Sequence, residues 1–388
     1  MGNVTISDAV KYIGVDDLTI DLFESQYVVP EGMSYNSYVI LDEKIAVMDT
    51  CDKRGSEQWL ANLEKELGGR TPDYVIISHM EPDHSATLGQ LVERYPQITL
   101  VGNAKTFTML ANYFDMGNQP KITVKEADTL SLGAHTLQFF MAPMVHWPEV
   151  MVTYEQSEKI LFSANGFGKF GALVNETDDW ACEARRYYFN ICGKYGAQVQ
   201  ALLKKAAKLD IQTICPLHGP ILSENLGYYI GLYDTWSKYE AENKGVLVAV
   251  ASVHGNTLGA AEFLAEELKA LGEEKVSLME VPRSDVAEVI EDAFRYDRLV
   301  LMASSYDAGV FLPMEDLLVH LRAKGYQNRK VALVENGSWA PTATKTMRGY
   351  LEAMKNITIL EPVVTIRSAV KDADKEALKE LAKVVHQA

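Results

Sequence analysis

Apolar residues in the first half of the chain fall into short runs separated by turns, with helical stretches between some of the runs. The runs are rich in β-branched and aromatic residues, which are typical of strands. The predicted strands are Tyr38–Leu41, Ile45–Met48, Tyr74–Ile77, Ile98–Val101, Leu137–Phe140 and Val150–Thr153. Up to about residue 210, this pattern predicts a layered α/β sandwich.

The second half alternates near-continuous apolar strands with helices. The predicted strands are Val246–Ala251, Val276–Val281, Leu299–Ala303, Val331–Val334 and Ile357–Leu360. The predicted helices are Asn256–Leu271, Asp285–Arg295, Pro313–Lys324, Lys345–Met354 and Asp372–Val385. This rhythm predicts a flavodoxin-like, doubly wound parallel five-stranded sheet, with its ligand crevice at the carboxyl ends of the first, third and fourth strands. A polar, helical segment at 228–245 separates the halves, so we predict domains at 1–244 and 245–388.

Composition narrows the classes of partner. The chain of 388 residues carries 37 Lys and Arg against 53 Asp and Glu, a net charge of −16, which would repel a phosphate backbone. The longest apolar runs are far shorter than the roughly 20 residues that span a bilayer. The four cysteines show no C-x-x-C pair or dense framework, which favours a reducing compartment. We therefore expect a cytoplasmic protein with neither nucleic acid nor membrane as partner.

The strongest chemical signal directly follows the strand that ends at Ile77. The segment Ser78-His-Met-Glu-Pro-Asp-His84 places His79, Glu81, Asp83 and His84 within six residues. Alternate side chains of an extended segment point the same way, so these groups can converge on one or two cations. Without a cation, so many polar and like-charged groups at a partly buried strand end would be costly.

Two further histidines occupy similar positions at strand ends. His146 lies in Ala142-Pro-Met-Val-His-Trp-Pro148, and His218 in Cys215-Pro-Leu-His-Gly-Pro220. A lone histidine beside Pro and Gly is usually a turn residue that bonds to the backbone. The presence of the acidic and histidine cluster at 79–84 makes a role as metal ligand the stronger interpretation for both.

Taken together, the motif, its spacing to His146 and His218, and the flavodoxin-like second half resemble the flavodiiron proteins (A-type flavoproteins). The resemblance covers the whole chain and includes Tyr35-Asn-Ser-Tyr38 and Met48-Asp-Thr50. It implies a metallo-β-lactamase-like αββα sandwich that holds two irons, followed by an FMN-binding domain. It also implies which residues bind each iron: His79, Glu81 and His146 bind one, and Asp83, His84 and His218 bind the other, with His84 replaced by water in some family members.

One position departs from the family pattern. Family members carry a metal-bridging aspartate in Leu-Phe-Ser-x-Asp-x-Phe-Gly, and this chain reads Leu161-Phe-Ser-Ala-Asn-Gly-Phe-Gly168, with Asn165 at the bridging position. A carboxamide lacks the negative charge and offers one oxygen, so we expect a weaker, partly occupied or mononuclear site. A natural low-activity variant, an engineered change and a latent site restored by deamidation of Asn165-Gly166 are competing explanations, and Asn165 as a simple turn residue is a fourth.

Three loops of the second half match a flavin site. Ser252-Val-His-Gly-Asn-Thr257 opens a helix directly after the first strand, so its hydroxyls and backbone N–H groups can hold a phosphate, and its glycine allows close approach. Tyr306 and Trp339, in the loops after the third and fourth strands, are candidates to stack on the flavin ring. The predicted FMN-binding residues are Ser252, His254, Gly255, Asn256, Thr257, Ser304, Ser305, Tyr306, Asp307, Gly309, Gly337, Ser338 and Trp339. A dinucleotide is disfavoured because no G-x-G-x-x-G opens this domain.

Both sites together imply an oxidoreductase that passes electrons from FMN to a non-haem diiron site. By resemblance, the diiron site reduces O2 to water, NO to nitrous oxide, or both, with His79, Glu81, Asp83, His146 and His218 as the catalytic set. The resemblance also implies a head-to-tail homodimer, and a separate electron donor such as a rubredoxin is expected. Two alternatives stay open: a zinc-dependent metallo-hydrolase, and a flavin electron carrier whose metal site is degenerate.

Overall fold

A computed structural model describes residues 5–177 and 179–388. The chain forms two compact units, unit 1 comprising Met1–Tyr188 with Ala197–Asp234 and unit 2 comprising Phe189–Gly196 with Thr235–Ala388. The domain boundary after residue 244 stays a prediction.

Short strands dominate the first half and longer ones the second. The strands in chain order are β1 (Val10–Tyr12), β2 (Val15–Asp17), β3 (Leu22–Phe23), β4 (Tyr27–Val28), β5 (Met33–Tyr35), β6 (Tyr38–Ile40), β7 (Ala46–Met48), β8 (Tyr74–Ile76), β9 (Thr99–Gly102), β10 (Lys121–Thr123), β11 (Thr129–Ser131), β12 (Thr136–Met141), β13 (Met151–Glu155), β14 (Ile160–Phe162), β15 (Thr213–Cys215), β16 (Asn243–Ala251), β17 (Val276–Glu280), β18 (Tyr296–Tyr306), β19 (Gly309–Val310), β20 (Arg329–Asn336), β21 (Ile357–Ile359) and β22 (Val364–Ile366).

Helices connect many of these strands. They are α1 (Ser56–Leu67), α2 (Pro82–Ser85), α3 (Leu88–Arg94), α4 (Ala104–Tyr113), α5 (Trp180–Ile191), α6 (Gly196–Ala206), α7 (Leu226–Ser237), α8 (Asn256–Ala270), α9 (Val286–Arg295), α10 (Leu312–Ala323), α11 (Ala343–Glu352) and α12 (Asp372–Gln387). Each strand and helix named in the sequence analysis occurs with small shifts of its ends. The expected helix over 228–245 is only partly right, because α7 ends at Ser237 and β16 already begins at Asn243.

Two sheets form the sandwich of unit 1. The first has the strand order β1-β6-β7-β8-β9-β10 and the second β11-β12-β13-β14-β15. Their facing side chains share one core, in which Ile40, Met48 and Ile76 of the first sheet lie with Phe139 and Phe162 of the second. Burial of these alternating apolar positions is the main force that holds the two sheets together.

The parallel sheet of unit 2 has the order β17-β16-β18-β20-β21, which is the 2-1-3-4-5 order of flavodoxin-like folds. Helices α8 and α12 cover one face, and their Leu264, Leu268 and Leu381 pack against strand residues such as Val248. The alternate strand residues, including Leu247, are buried on the opposite face, as expected for a sheet covered on both sides.

The fifth strand is split into two pieces. Both β21 and β22 pair with β20, and Glu361-Pro362 lies between them. Proline lacks the N–H that a continuous ladder requires, so the ladder is interrupted there. The apolar pattern of the sequence predicts only the first piece, and the loop after β22 is therefore missing from the predicted flavin site.

Cys51, Cys192 and Cys215 are buried, and Cys182 is partly exposed. Over the described ranges, no helix is both long and apolar enough to cross a bilayer.

Candidate metal and flavin sites

The acidic and histidine cluster lies on a loop that leaves β8 and then turns into α2. Pro82 occupies the first position of this single helical turn, where its missing N–H costs nothing. The sequence predicts an extended conformation for the whole segment. That holds for Glu81 but is wrong for Asp83 and His84, which project from the helical turn.

One group of potential ligands consists of His79, Glu81 and His146. The same carboxylate oxygen of Glu81 lies 3.1 Å from Nε2 of His79 and 3.0 Å from Nε2 of His146. Ligands at about 2.1 Å from an octahedral cation are about 3.0 Å apart, so these separations suit a shared metal ion.

The second group consists of Asp83, His84 and His218. Nε2 of His84 lies 3.0 Å from Nε2 of His218, and Oδ2 of Asp83 lies 3.1 Å and 3.2 Å from these two nitrogens. The groups adjoin, since the rings of His79 and His84 have centroids 5.9 Å apart. The structure thus brings all six residues together, including His84, although their role as ligands stays a prediction.

Several polar atoms here lack the partners that buried groups normally have. Oδ1 of Asp83, Nδ1 of His84 and Oδ1 of Asn165 are buried and have no hydrogen-bond partner among the described residues. Native proteins seldom leave such atoms unpaired without an ion or water to satisfy them. The donor set of imidazoles and carboxylates, with these atoms unpaired, therefore fits metal ions.

The electrostatics favour positive charge at the site. Burial by itself lowers the pKa of His79, but hydrogen bonds with Glu149 and Glu81 outweigh it and raise the pKa to about 10. Burial and the charge of Asp83 raise the pKa of Glu81, but hydrogen bonds with His146 and His79 bring it to about 2. The carboxylates are thus held ionised against cationic partners, and bound metal ions would supply the same charge.

A cavity with a volume of about 520 Å³ lies at the carboxyl edge of the parallel sheet in unit 2. Of the predicted FMN-binding residues, those that line it are Ser252, His254, Asn256, Thr257, Ser304, Ser305, Tyr306, Asp307, Gly337, Ser338 and Trp339. Gly255 and Gly309 do not line the cavity. Its size is typical of sites that take a cofactor or other small molecule.

The loop after β16 offers groups that could hold a phosphate. Gly255 caps α8 with a φ of +91°, and open space surrounds the position that a Cβ would occupy. The Ser252 hydroxyl accepts a bond from the Gly255 N–H at 3.0 Å, and the Thr257 hydroxyl lies 3.0 Å from that of Ser304. No side chain caps the helix, so its first N–H groups are available to an anion.

Known proteins are similar in sequence to this chain along nearly its whole length. A family model described as "ODP family beta lactamase" matches residues 33–219. The nitric oxide reductase of Moorella thermoacetica is 29% identical over 396 residues, which covers 98% of each chain. An anaerobic nitric oxide reductase flavorubredoxin of Vibrio vulnificus is 28% identical over 348 residues, covering 87% of this chain and 70% of the relative.

Solved structures agree in fold. The flavodiiron protein of Giardia intestinalis superposes with a TM-score of 0.93 at 24% identity, covering 98% of this chain and 95% of that one. The chain therefore shares the fold of the flavodiiron proteins over nearly its whole length. Another similar structure is the rubredoxin oxygen:oxidoreductase of Desulfovibrio gigas, with a TM-score of 0.91 at 24% identity and coverage of 99% and 97%.

Asn165 lies on the loop after β14, next to the loop that carries His218. The backbone oxygen of Ala164 accepts a bond from the Leu217 N–H at 2.9 Å, which ties the loops together. The Asn165 side chain is 1% exposed. A simple turn residue would expose its side chain to solvent, whereas the amide oxygen of Asn165 is buried and has no hydrogen-bond partner among the described residues.

The sequence did not reveal some residues that position the candidate metal site. One Glu149 oxygen lies 2.8 Å from Nδ1 of His79 and also accepts the Met80 N–H at 2.8 Å. The backbone oxygen of Ser34 lies 2.7 Å from Nδ1 of His218. Of these two residues, only Glu149 could have been suspected from the sequence. It stands three residues after His146, and a carboxylate close to a ligand histidine is a common orienting partner.

At the flavin cavity, the missed residue is Ser368, which lies beyond the overlooked strand β22. Its N–H donates to Oδ1 of Asn336 at 2.9 Å, and its carbonyl accepts from the same amide at 2.9 Å. Ser368 thereby joins the loop after β20 at the cavity wall.

Proposed function

We propose that this protein is an oxidoreductase that takes electrons through FMN and delivers them to a diiron site, which reduces O2 to water, NO to nitrous oxide, or both. The observation that carries the proposal is the pair of adjoining ligand groups, each with three ligand atoms within 4.8 Å of one another. The relatives named as nitric oxide reductases support this choice of reaction.

His79, Glu81 and His146 would hold one iron, and Asp83, His84 and His218 the other. Bound iron supplies the redox chemistry and the open coordination positions for a diatomic substrate. The protein's own part is orientation: Glu149 fixes the ring of His79, and the backbone oxygen of Ser34 fixes that of His218. These contacts hold the opposite ring nitrogens toward the centre of the site.

FMN would occupy the cavity of unit 2, with its phosphate at the N-terminus of α8. Flavin supplies electron storage and transfer. Ser252 and Thr257 are placed to hold the phosphate, and the 89% exposed Trp339 offers an aromatic face at the cavity wall. An indole this exposed is unusual for a large apolar side chain and fits a residue that stacks on a ligand or partner.

Exposed apolar residues and the family resemblance both support the proposed partners, which are a second copy of the chain and an electron donor. In unit 1, Leu22 and Val28 pair across β3 and β4 and both are exposed. In unit 2, Leu312 is 63% exposed, in addition to Trp339. These residues support a head-to-tail homodimer in which the flavin cavity of one subunit serves the metal site of its partner. A cytoplasmic rubredoxin-like protein would supply the electrons.

The test is to purify the protein anaerobically, measure iron, zinc and FMN per chain, reduce it, and time flavin reoxidation after mixing with NO or O2. Iron with rapid reoxidation by either gas supports the proposal. Zinc without gas-dependent reoxidation would instead identify the metallo-hydrolase, and full FMN without metal would identify a flavin carrier.

A further inference from the structure

His254 lies in the loop that is proposed to hold the phosphate of FMN. The loop leaves β16 and is closed by the Gly255 N–H, which donates to the Ser252 hydroxyl at 3.0 Å. This bond fixes the short turn that contains His254, whose exposed side chain lines the flavin cavity. The imidazole can therefore meet a ligand in the cavity while the turn holds its backbone.

Charged groups are few in the lining of this cavity. Of the described residues that line it, none is Lys or Arg, and His254 alone has a side chain that can become positive. The other titratable groups are the carboxyl of Asp307 and the phenol of Tyr306, both in the β18–β19 hairpin. The first turn of α8 and the loops after β20 and β22 contribute only neutral side chains to the lining. Any full positive charge that the lining offers to a ligand must therefore come from His254.

The phosphate of FMN is the part of the cofactor that needs such a charge. A phosphate monoester carries two negative charges above its second pKa of about 6. The chain has a net charge of −16, so its overall field opposes the approach of a dianion. The N-terminus of α8 offers N–H groups and a partial positive charge, with no acid in its first turn. A protonated imidazole beside these groups would strengthen phosphate binding without affecting the neutral flavin ring.

The chemistry of imidazole gives this contact a direction with pH. Imidazole normally changes its charge between about pH 5 and 8, and its protonated form makes charge-assisted hydrogen bonds to phosphate. A bound dianion stabilises the protonated ring, so phosphate binding and protonation of His254 favour each other. FMN should therefore bind more tightly as the pH falls from about 8.5 to about 6.5, a range in which phosphate keeps most of its second charge.

We propose that His254, when protonated, is the cationic partner of the FMN phosphate and makes retention of the cofactor depend on pH. This inference deepens the proposed function and rests on it, because FMN must occupy the cavity of unit 2. It assigns the pH dependence to one side chain of the protein and to one group of the cofactor, so each of the two can be removed separately.

The experiment titrates FMN into full-length protein from which flavin has been removed, at about pH 6.5 and about pH 8.5, and follows the quenching of flavin fluorescence. Four proteins are compared: the wild type, His254→Asn, His254→Lys and His320→Asn. His320 is the matched control, because it is a partly exposed histidine on α10 of the same unit and does not line the cavity. Riboflavin, which lacks the phosphate, is titrated in parallel and reports whether the rest of the cavity is intact.

We expect the wild type and His320→Asn to bind FMN about fivefold more tightly at the lower pH, the size of effect that one charge-assisted hydrogen bond can produce. His254→Asn should bind FMN weakly and equally at both pH values, and His254→Lys should bind it tightly at both. Riboflavin should bind equally to all four proteins at either pH.

An FMN affinity that does not change with pH in the wild type, or that changes as much in His254→Asn, would overturn the inference and leave the flavin site intact. The same pH dependence for riboflavin would also overturn it, because the charge would then act on a part of the flavin other than the phosphate. Failure of all four proteins to bind FMN at either pH would overturn the proposed flavin site itself, and the role of His254 with it.

Discussion

The Nδ1 atom of His79 lies 2.8 Å from a carboxylate oxygen of Glu149, and both side chains are fully buried. The same oxygen accepts the Met80 N–H, so Glu149 fixes the ring and the backbone of the metal-binding loop together. Removing its charge without changing its size should therefore loosen the site while leaving the fold in place.

Glu149→Gln should lower iron affinity by about tenfold, since partners that orient a ligand histidine typically contribute one to two orders of magnitude. Anaerobic Fe²⁺ titration against a chelator measures the change, and Glu43→Gln on the exposed β6–β7 turn is the control. Unchanged iron affinity, with FMN content equal to that of the wild type, would show that the contact between Glu149 and His79 is only structural.

Asn165→Asp should raise the iron retained per chain and speed flavin reoxidation, because a carboxylate gives the two ions a shared negative ligand. Elemental analysis and stopped-flow mixing with NO and O2 provide the two measurements. The same change is expected slowly in stored protein if Asn165 deamidates before Gly166. Peptide mass spectrometry that finds only intact Asn165 in aged, folded protein would eliminate this latent-site hypothesis.

The flavin cavity should depend on the hydroxyl of Thr257. Thr257→Val keeps the side-chain shape but removes a donor for the FMN phosphate, and hydrogen bonds to charged groups are worth about 1.5–3 kcal/mol. We expect FMN to bind about ten- to a hundredfold more weakly, as measured by the fluorescence of released flavin. Thr108→Val on α4 in unit 1 is the control, and equal FMN affinity in the two variants would contradict a phosphate site at the start of α8.

The sequence predicted the elements well because apolar periodicity and chemistry agreed. In β16, every residue from Gly245 to Ala251 is buried, and a continuous apolar run is the pattern that a doubly covered strand produces. The metal cluster was equally easy to recognise in the sequence, because His79 and Glu81 closely follow a predicted strand. The convergence of His146 and His218 on these residues was inferred from the family resemblance, because spacing along the chain does not determine distance in space.

What the sequence could not reveal were contacts made by residues with no motif of their own. Ser34 belongs to no motif, and only the folded chain places its backbone oxygen 2.7 Å from Nδ1 of His218. Strand β22 is three residues long and follows a proline, so its pattern was too short to separate from the preceding strand. Ser368 was lost with it, because the loop after an unrecognised strand cannot be assigned to the edge of the sheet.

His135, which belongs to neither candidate site, should make the stability of unit 1 depend on pH. His135, on the turn before β12, has its Nδ1 2.8 Å from a carboxylate oxygen of Asp42 and its Nε2 3.1 Å from one of Glu158. These acids lie on the β6–β7 and β13–β14 turns, so the imidazole joins three turns at one end of the sandwich. Burial lowers the pKa of His135, but the two carboxylates outweigh it and raise the pKa above its usual value.

A raised folded-state pKa means that the protonated ring stabilises the fold. The stabilisation is complete below the unfolded pKa of about 6.5 and is lost as the pH rises through the higher folded value. His135→Gln should therefore lower the unfolding midpoint by about 2 °C near pH 6 and by progressively less at higher pH. Thermal unfolding of both proteins between about pH 5.5 and 8.5 measures the difference, with His320→Gln on α10 as control. A difference that is constant or grows with pH would show that the charge of His135 does not join these turns.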